Sequence, residues 1–292
     1  MMQGMSSLFR TALMFTALLA GAAIAARQTS GQQPQQQPQQ QPAPADKSNP
    51  PQAAPLTLEP AAPPVNAEED AAIKTFRETK NDDLAKKNQV ADDFLAKYPQ
   101  SRYRPEVYAW QVQYFHSKGD IDKMEVAADK QLALFPNDPQ TLAVVGSTLP
   151  RAMNANTQEP AKRLAKAEQY CQKALDLMPA LVKPANVNDE DFQKAKNQAA
   201  ALAYSGLGLV AFRRGKFADA IPHFEQSVKV DPSPDPVNYY LLGICQQKTS
   251  HFDDAVAAFT KCAAIPGGLQ ATCKNNIEEA KKLAATQLSA PK

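Results

Sequence analysis

Residues 201–234 read ALAYSGLGLVAFRRGKFADAIPHFEQSVKVDPSP, and residues 236–268 read PVNYYLLGICQQKTSHFDDAVAAFTKCAAIPGG. Slid by 35 residues, the chain falls on itself: Leu207 meets Leu242, Gly208 meets Gly243, Phe217 meets Phe252, Ala220 meets Ala255, and Phe224 meets Phe259. The spacing inside each unit has a physical reading. Ala220, Phe224 and Ser227 stand at i, i+4 and i+7, one face of a helix. Leu207 and Gly208 lie on a preceding helix. Gly208 and Ala220 are small, so two antiparallel helices can approach closely, with Phe224 filling the space beside them. Arg213-Arg214-Gly215-Lys216 is a polar turn with the glycine that a tight helix ending wants. Pro232 stops the second helix.

The pattern resembles the tetratricopeptide repeat (TPR): aromatic-x2-Leu-Gly, then Ala-x3-Phe, then Pro. Here it stands as Tyr204, Leu207, Gly208, Ala220, Phe224 and Pro232, and again as Tyr239, Leu242, Gly243, Ala255, Phe259 and Pro266. The second copy departs in detail, since Pro266 comes one residue early and Gly267-Gly268 follows. The family's helix-A tyrosine is replaced by Ala211 and Gln246. The resemblance implies an all-α, right-handed superhelical solenoid of antiparallel helix pairs, with a concave face that binds peptides or partner proteins. It places Leu209, Phe212 and Arg213, and then Tyr240, Ile244, Gln247 and Lys248, on that groove. The alternative for the apolar members is packing against the neighbouring repeat. The family's clamp for chaperone tails needs a Lys and an Asn where this chain has Ser205 and Leu209, so that ligand is rejected.

Weaker copies lie upstream. Residues 105–138 carry Tyr108, Phe115, Gly119, Ile121, Met124 and Pro136; the step from Gly119 to Pro136 equals that from Gly215 to Pro232. Residues 139–187 open with Leu142 and Gly146 and continue with Ala167, Ala174 and Pro179. The step from Gly146 to Ala167 is nine residues longer than that from Gly208 to Ala220, which predicts an insertion in the turn near LPRAMNANTQEP and a linker at 180–187. Loops tolerate such length because closure entropy grows slowly. Residues 67–104 read as a divergent helix pair closing in FLAKYPQS (94–101), a phrase similar to repeats in bacterial envelope assembly proteins. Asn188 is an N-cap for an extended first helix, so the unit 188–234 has its repeat core at 201–234. Residues 236–268 form the last repeat, and 269–288 is the polar-backed capping helix a solenoid needs.

The N-terminus carries Arg10, then TALMFTALLA (11–20) and GAAIAA (21–26). This run of about 16 apolar residues is short of the ~20 that span a bilayer. Ala23-Ile24-Ala25 suits signal cleavage, so 1–26 reads as a signal peptide, with an uncleaved anchor as the alternative. Residues 27–66, including QQPQQQPQQQP (32–42), are too poor in large apolar groups to fold, and read as a disordered Gln/Pro-rich linker. Export opens an oxidising compartment to the four cysteines. Cys262 and Cys273 flank the turn Ile265-Pro266-Gly267-Gly268 on successive helices, which permits a disulfide; the alternative is reduced cysteines in small core positions.

The rest bears on chemistry. Lys plus Arg number 32 against 30 Asp plus Glu, a net charge of +2 that offers no basic face for nucleic acid. His116, His223 and His251 fall in different repeats, without metal-ligand spacing. The pairs Asp82-Asp83, Asp92-Asp93 and Asp253-Asp254 point about 100° apart on a helix and do not converge. Trp110 reads as core packing. No phosphate loop or GxSxG is present. The sequence therefore predicts a non-enzymatic scaffold or adaptor of the periplasm or cell envelope, with no catalytic residues, no metal, no cofactor and no nucleic acid. Its partner is a protein or peptide, and membrane contact arises only through an uncleaved N-terminus. The alternative is a self-associating structural envelope component with a Gln/Pro-rich spacer.

Overall fold

The computed structural model describes residues 66–80, 83–185 and 187–289. The expected signal peptide, nearly all of the expected Gln/Pro-rich linker, and Asp82 lie outside these residues. Among the described residues the chain forms eleven α-helices and no strand: α1 Ala67–Glu78, α2 Leu84–Lys97, α3 Arg104–Lys118, α4 Ile121–Leu134, α5 Pro139–Ala152, α6 Pro160–Leu177, α7 Asp189–Arg213, α8 Phe217–Val230, α9 Pro236–Lys248, α10 Phe252–Ala264 and α11 Gln270–Ser289. A short 3-10 turn, Met178–Ala180, follows α6.

Local chemistry sets the ends. Asn66, Asp83, Asp120, Asp138, Asn188 and Asp235 each accept a backbone N–H of the first helical turn through the side chain. Pro139, Pro160 and Pro236 open their helices, where a missing N–H costs nothing. Gly119 and Gly215 close α3 and α7 at φ 69° and 72°, a left-handed turn that glycine adopts without strain. α10 ends one residue sooner after Phe259 than α8 does after Phe224, the local consequence of Pro266.

Consecutive helices pack on one another along the chain, and α5 also lies against α7. The repeat signature explains the closeness. A Cβ on Gly208 would meet the Phe224 ring at 2.8 Å, and one on Gly243 would meet the Phe259 ring at 2.6 Å. Phe224 and Phe259 are fully buried. Truncating such a ring typically costs about 3–5 kcal/mol.

The nine extra residues between Gly146 and Ala167 are not all in a turn. α5 runs one residue further past its glycine than α7 does. The connector 153–159 has seven residues where 214–216 has three, and α6 begins a full turn earlier relative to Ala167. That extra turn is anchored to α4 by Arg163, whose Nη2 donates to Glu125 Oε2 at 2.7 Å; in the following turn Lys166 Nζ lies 3.2 Å from Glu125 Oε1.

Candidate partner-binding surface

The first helix of each pair is where the concave face was expected, and the structure restricts how much of it is open. Every residue of α5 from Pro139 to Pro150 is buried, so this helix offers no face to a ligand. On α7, Leu209 is 4% exposed and packs with Leu242 and Cys245 across the junction to α9. It is core, not groove, because the junction between repeats 201–234 and 236–268 uses its side chain. Phe212 is half-buried, its ring edge-on to Phe217 with centroids 5.5 Å apart.

Arg213 does a different job from the one the resemblance implied. Its Nε donates to Pro150 O at 3.0 Å and its Nη2 to Met153 O at 2.9 Å. It caps the C-terminal end of α5, where unsatisfied carbonyls attract a cation. On α9, Tyr240 and Ile244 are half-buried beneath α11, packed with Ile277 and Ala280. Gln247 Nε2 donates to Glu279 Oε1 on α11 at 3.3 Å. Lys248 is exposed at the end of α9. The seven expected groove residues therefore do not form one open surface. Phe212, Arg213 and Lys248 sit at the C-terminal rim of their helices, Leu209 is internal, and the α9 trio is covered.

Sequence reasoning missed a chain of hydrogen bonds through the same helices. Arg151 Nη1 pairs with Asp235 Oδ2 at 2.7 Å, and its Nη2 donates to Ser205 Oγ at 3.4 Å. Ser205 Oγ donates to Asn238 Oδ1 at 2.7 Å, Asn238 Nδ2 to Ser227 Oγ at 3.0 Å, and Ser227 Oγ to Ala201 O at 2.9 Å. Ser205, Ser227 and Asn238 are each under 5% exposed, yet each is paired. From Arg151 through Ser205 to Ala201 O every donor points the same way, and the chain links α5, α7, α8 and α9. Asp235 also caps α9 through Val237 N at 2.9 Å. The available signal was slight: the 35-residue step sets Ser205 against Tyr240 and Ser227 against Cys262, so polar residues stand where the other copy has larger or apolar ones.

The cysteines divide as the sequence left open. Cys262 and Cys273 are joined by a disulfide between α10 and α11, with Cα atoms 6.0 Å apart. A cross-link closing so short a loop contributes about 3 kcal/mol in the chain-entropy account. Cys171 and Cys245 are free and buried. Burial pushes the Cys171 thiol well up and the Cys245 thiol up to about 12, so neither is a nucleophile.

The titratable residues do not converge. Asp92 accepts from Asn88 and Gln111, at 2.9 and 2.7 Å, while Asp93 accepts from Gln89. His251 Nδ1 lies 2.9 Å from Thr249 Oγ1 at the start of α10. Burial, then the charge of Arg151, lowers His116 to about 4. Glu168 is held low by its two hydrogen bonds from Arg214, at 3.0 and 2.8 Å. Among the described residues no cluster of His, Cys, Asp or Glu has the geometry of a metal site, and no helix is long and apolar enough to cross a membrane.

Residues 201–234 match the sequence model of the family described as tetratricopeptide repeat. No curated protein matches the chain. Among solved structures, PilW, described as a widely conserved type IV pilus biogenesis factor, is similar with a TM-score of 0.50 at 15% identity, over 76% of this chain and 93% of that one. PilF of Pseudomonas aeruginosa gives a TM-score of 0.49 at 17% identity, over 75% and 87%. A thermophilic TPR protein of Thermus thermophilus gives 0.46 at 15%, over 73% and 99%. At 15% identity the likeness to PilW is one of fold alone. Residues 201–234 are therefore a repeat of the tetratricopeptide class, set in an all-helical stack of antiparallel pairs. Proteins of this class are generally scaffolds for protein–protein interaction, without catalysis.

Proposed function

We propose that this chain is an exported, non-enzymatic adaptor that organises a protein complex at the cell envelope. One observation carries the reading: the matched repeat 201–234 is fixed to its neighbours by a hydrogen-bond chain that starts at the exposed Arg151–Asp235 pair and runs inward through the buried Ser205, Asn238 and Ser227. A stack locked at this many points presents its surface without reorganising on binding, and preorganisation is what raises the affinity of a modest contact area. The docking surface we assign is the C-terminal rim of the first helices, with Phe212 as apolar anchor and Lys248 as polar contact. Arg213 contributes indirectly, by holding the end of α5.

Export is supported by the apolar segment 11–26 and by the Cys262–Cys273 disulfide, a bond that reducing compartments disfavour. N-terminal sequencing of the mature protein tests the first: a chain beginning near residue 26 supports cleavage, and a retained Met1 on a membrane-bound protein supports an anchor.

The function is tested by affinity capture from envelope extract with the native chain and with Phe212→Ala plus Lys248→Glu. A specific partner lost from the variant, which should keep its helix content, supports the adaptor. Concentration-dependent self-association as the sole interaction, read by sedimentation, replaces it with the self-associating structural reading.

A further inference from the structure

The C-terminal helix covers an apolar face of α9 and α10 and is joined to α10 by a disulfide. Of the described side chains of α11, Cys273 and Ala280 are fully buried, and Ile277 is half-buried. The covered face is larger and mostly aromatic or branched: Tyr240 and Ile244 of α9, with Val256 and Phe259 of α10. The Tyr240 and Phe259 rings lie 6.2 Å apart. One polar contact crosses the boundary from α9, Gln247 to Glu279 at 3.3 Å. Leu283, one turn beyond Ala280, is already 36% exposed. The connection is a short solvent-facing turn, in which Cβ atoms placed on Gly267 and Gly268 would meet nothing within 4 Å. What fixes α11 at its N-terminal end is the Cys262–Cys273 bond, reinforced by Gln270 Nε2 donating to Ala263 O at 3.0 Å.

We propose that the Cys262–Cys273 disulfide is a latch on this face. With the bond closed, α11 covers Tyr240, Ile244 and Gln247. With the bond open, α11 leaves, and the face takes an amphipathic helix of a partner. α11 itself shows the occupant's chemistry: small, branched and small residues at the spacing of Cys273, Ile277 and Ala280, with a polar back. The redox step is a thiol–disulfide exchange. A dithiol donates two electrons and two protons, both cysteines become thiols, and the donor becomes the disulfide; oxidation is the reverse, with a protein disulfide as acceptor. Both sulfurs are buried, so exchange in the closed form waits on local opening of α11. The latch is therefore set chiefly when the newly exported chain is oxidised, and a partner helix competes with α11 before that moment. This inference rests on the adaptor reading for its partner, but not for its test.

The test uses the full chain in three forms: oxidised, reduced with a phosphine, and carrying Cys262→Ser with Cys273→Ser. Amide hydrogen exchange is read on α11 and on α3–α8, and binding is read with a fluorescent peptide of residues 269–289 carrying Cys273→Ser. The expected result is exchange on α11 at least about 100-fold faster in the reduced and double-serine forms, unchanged protection on α3–α8, and peptide bound by those two forms alone. Equal α11 protection in all three forms, or no peptide binding by the opened forms, overturns the latch and leaves the bond a staple. Loss of protection throughout α3–α8 also overturns it, because the bond then supports the whole fold; the phosphine-reduced native sequence separates that outcome from a folding defect of the serine variant. Since the probe is the chain's own helix, failure here leaves the affinity-capture test of the adaptor untouched.

Discussion

In the middle of the stack, α5 is buried along twelve consecutive residues, whereas α11 at the C-terminal end fully buries Cys273 and Ala280 alone among its described side chains. α5 has neighbours on every side, namely α4, α6 and α7, and approaches α3. α11 has a neighbour pair on one side and solvent on the other. In a solenoid, stability is roughly a sum of unit and neighbour terms, so a helix with one interface is the first to open. The middle is held by shape from several sides and by a largely buried polar chain, and the end by packing against a single helix pair plus a covalent bond. Function that needs rigidity belongs to the first region, and function that needs release to the second.

The contrast is broken most directly by truncating one anchor in each region. Phe224→Ala removes a ring with no exposed surface and should lower unfolding free energy by about 3–5 kcal/mol. Ile277→Ala removes a half-buried side chain of α11 and should cost about 1 kcal/mol. Denaturant unfolding measures both. Equal losses would mean that the end is packed as firmly as the middle.

That middle was legible in the sequence because its packing is periodic. Gly208 with Phe224 and Gly243 with Phe259 are steric pairs: a small residue on one helix makes room for a ring on the next, and the 35-residue step repeats the demand. The groove residues were less legible. Helical phase says which way Leu209 and Arg213 point, but not how far the next repeat has closed over them, and that depends on side-chain volumes summed along the stack. The chain through Ser205, Asn238 and Ser227 has no period, so nothing in the sequence pairs Arg151 with Asp235, 84 positions apart. The place of the nine-residue insertion was partly readable. Helix and loop share it because Arg163 rewards an added turn of α6 by meeting Glu125.

Acid should separate the two regions next. His116, at the end of α3, is lowered to about 4 by burial and by Arg151. Its folded-state affinity for a proton is below that of the unfolded chain, whose histidine titrates near about 6.5. The stability tied to neutral His116 is therefore fully present above about pH 6.5 and is lost as pH falls toward 4. Between pH 7 and pH 5 the loss should be about 2 kcal/mol. His116→Gln should flatten this slope in denaturant titrations at the two pH values. α11 contains no histidine, so its opening, corrected for intrinsic exchange chemistry, should not follow that slope. A pH-dependent α11 would couple the end to the middle and weaken the contrast.

An effect of similar size tests whether the polar chain or the apolar packing fixes the middle. Asn238→Ala removes the acceptor of Ser205 and the donor to Ser227 in a site without water access, and should cost about 2 kcal/mol. Exchange protection should fall at both the α7–α8 and the α8–α9 contacts. A loss confined to α9 would mean that the chain is three local bonds and not a unit.

The smallest expected effect is the most informative about function. Arg213 has two donors on two different carbonyls, Pro150 O and Met153 O, a fork that lysine cannot reproduce. Because the guanidinium is partly exposed, Arg213→Lys should cost well under the burial terms above, about 0.5–1 kcal/mol. Charge is kept, so a partner that reads only positive charge at this rim would bind the variant as well as the native chain. A partner that needs the geometry of the α5 end would bind it less well, in step with faster amide exchange at residues 150–153. Measuring both quantities on one variant distinguishes a ligand contact from a positioning role. The structure argues for the latter, since both nitrogens that define the fork already face protein carbonyls.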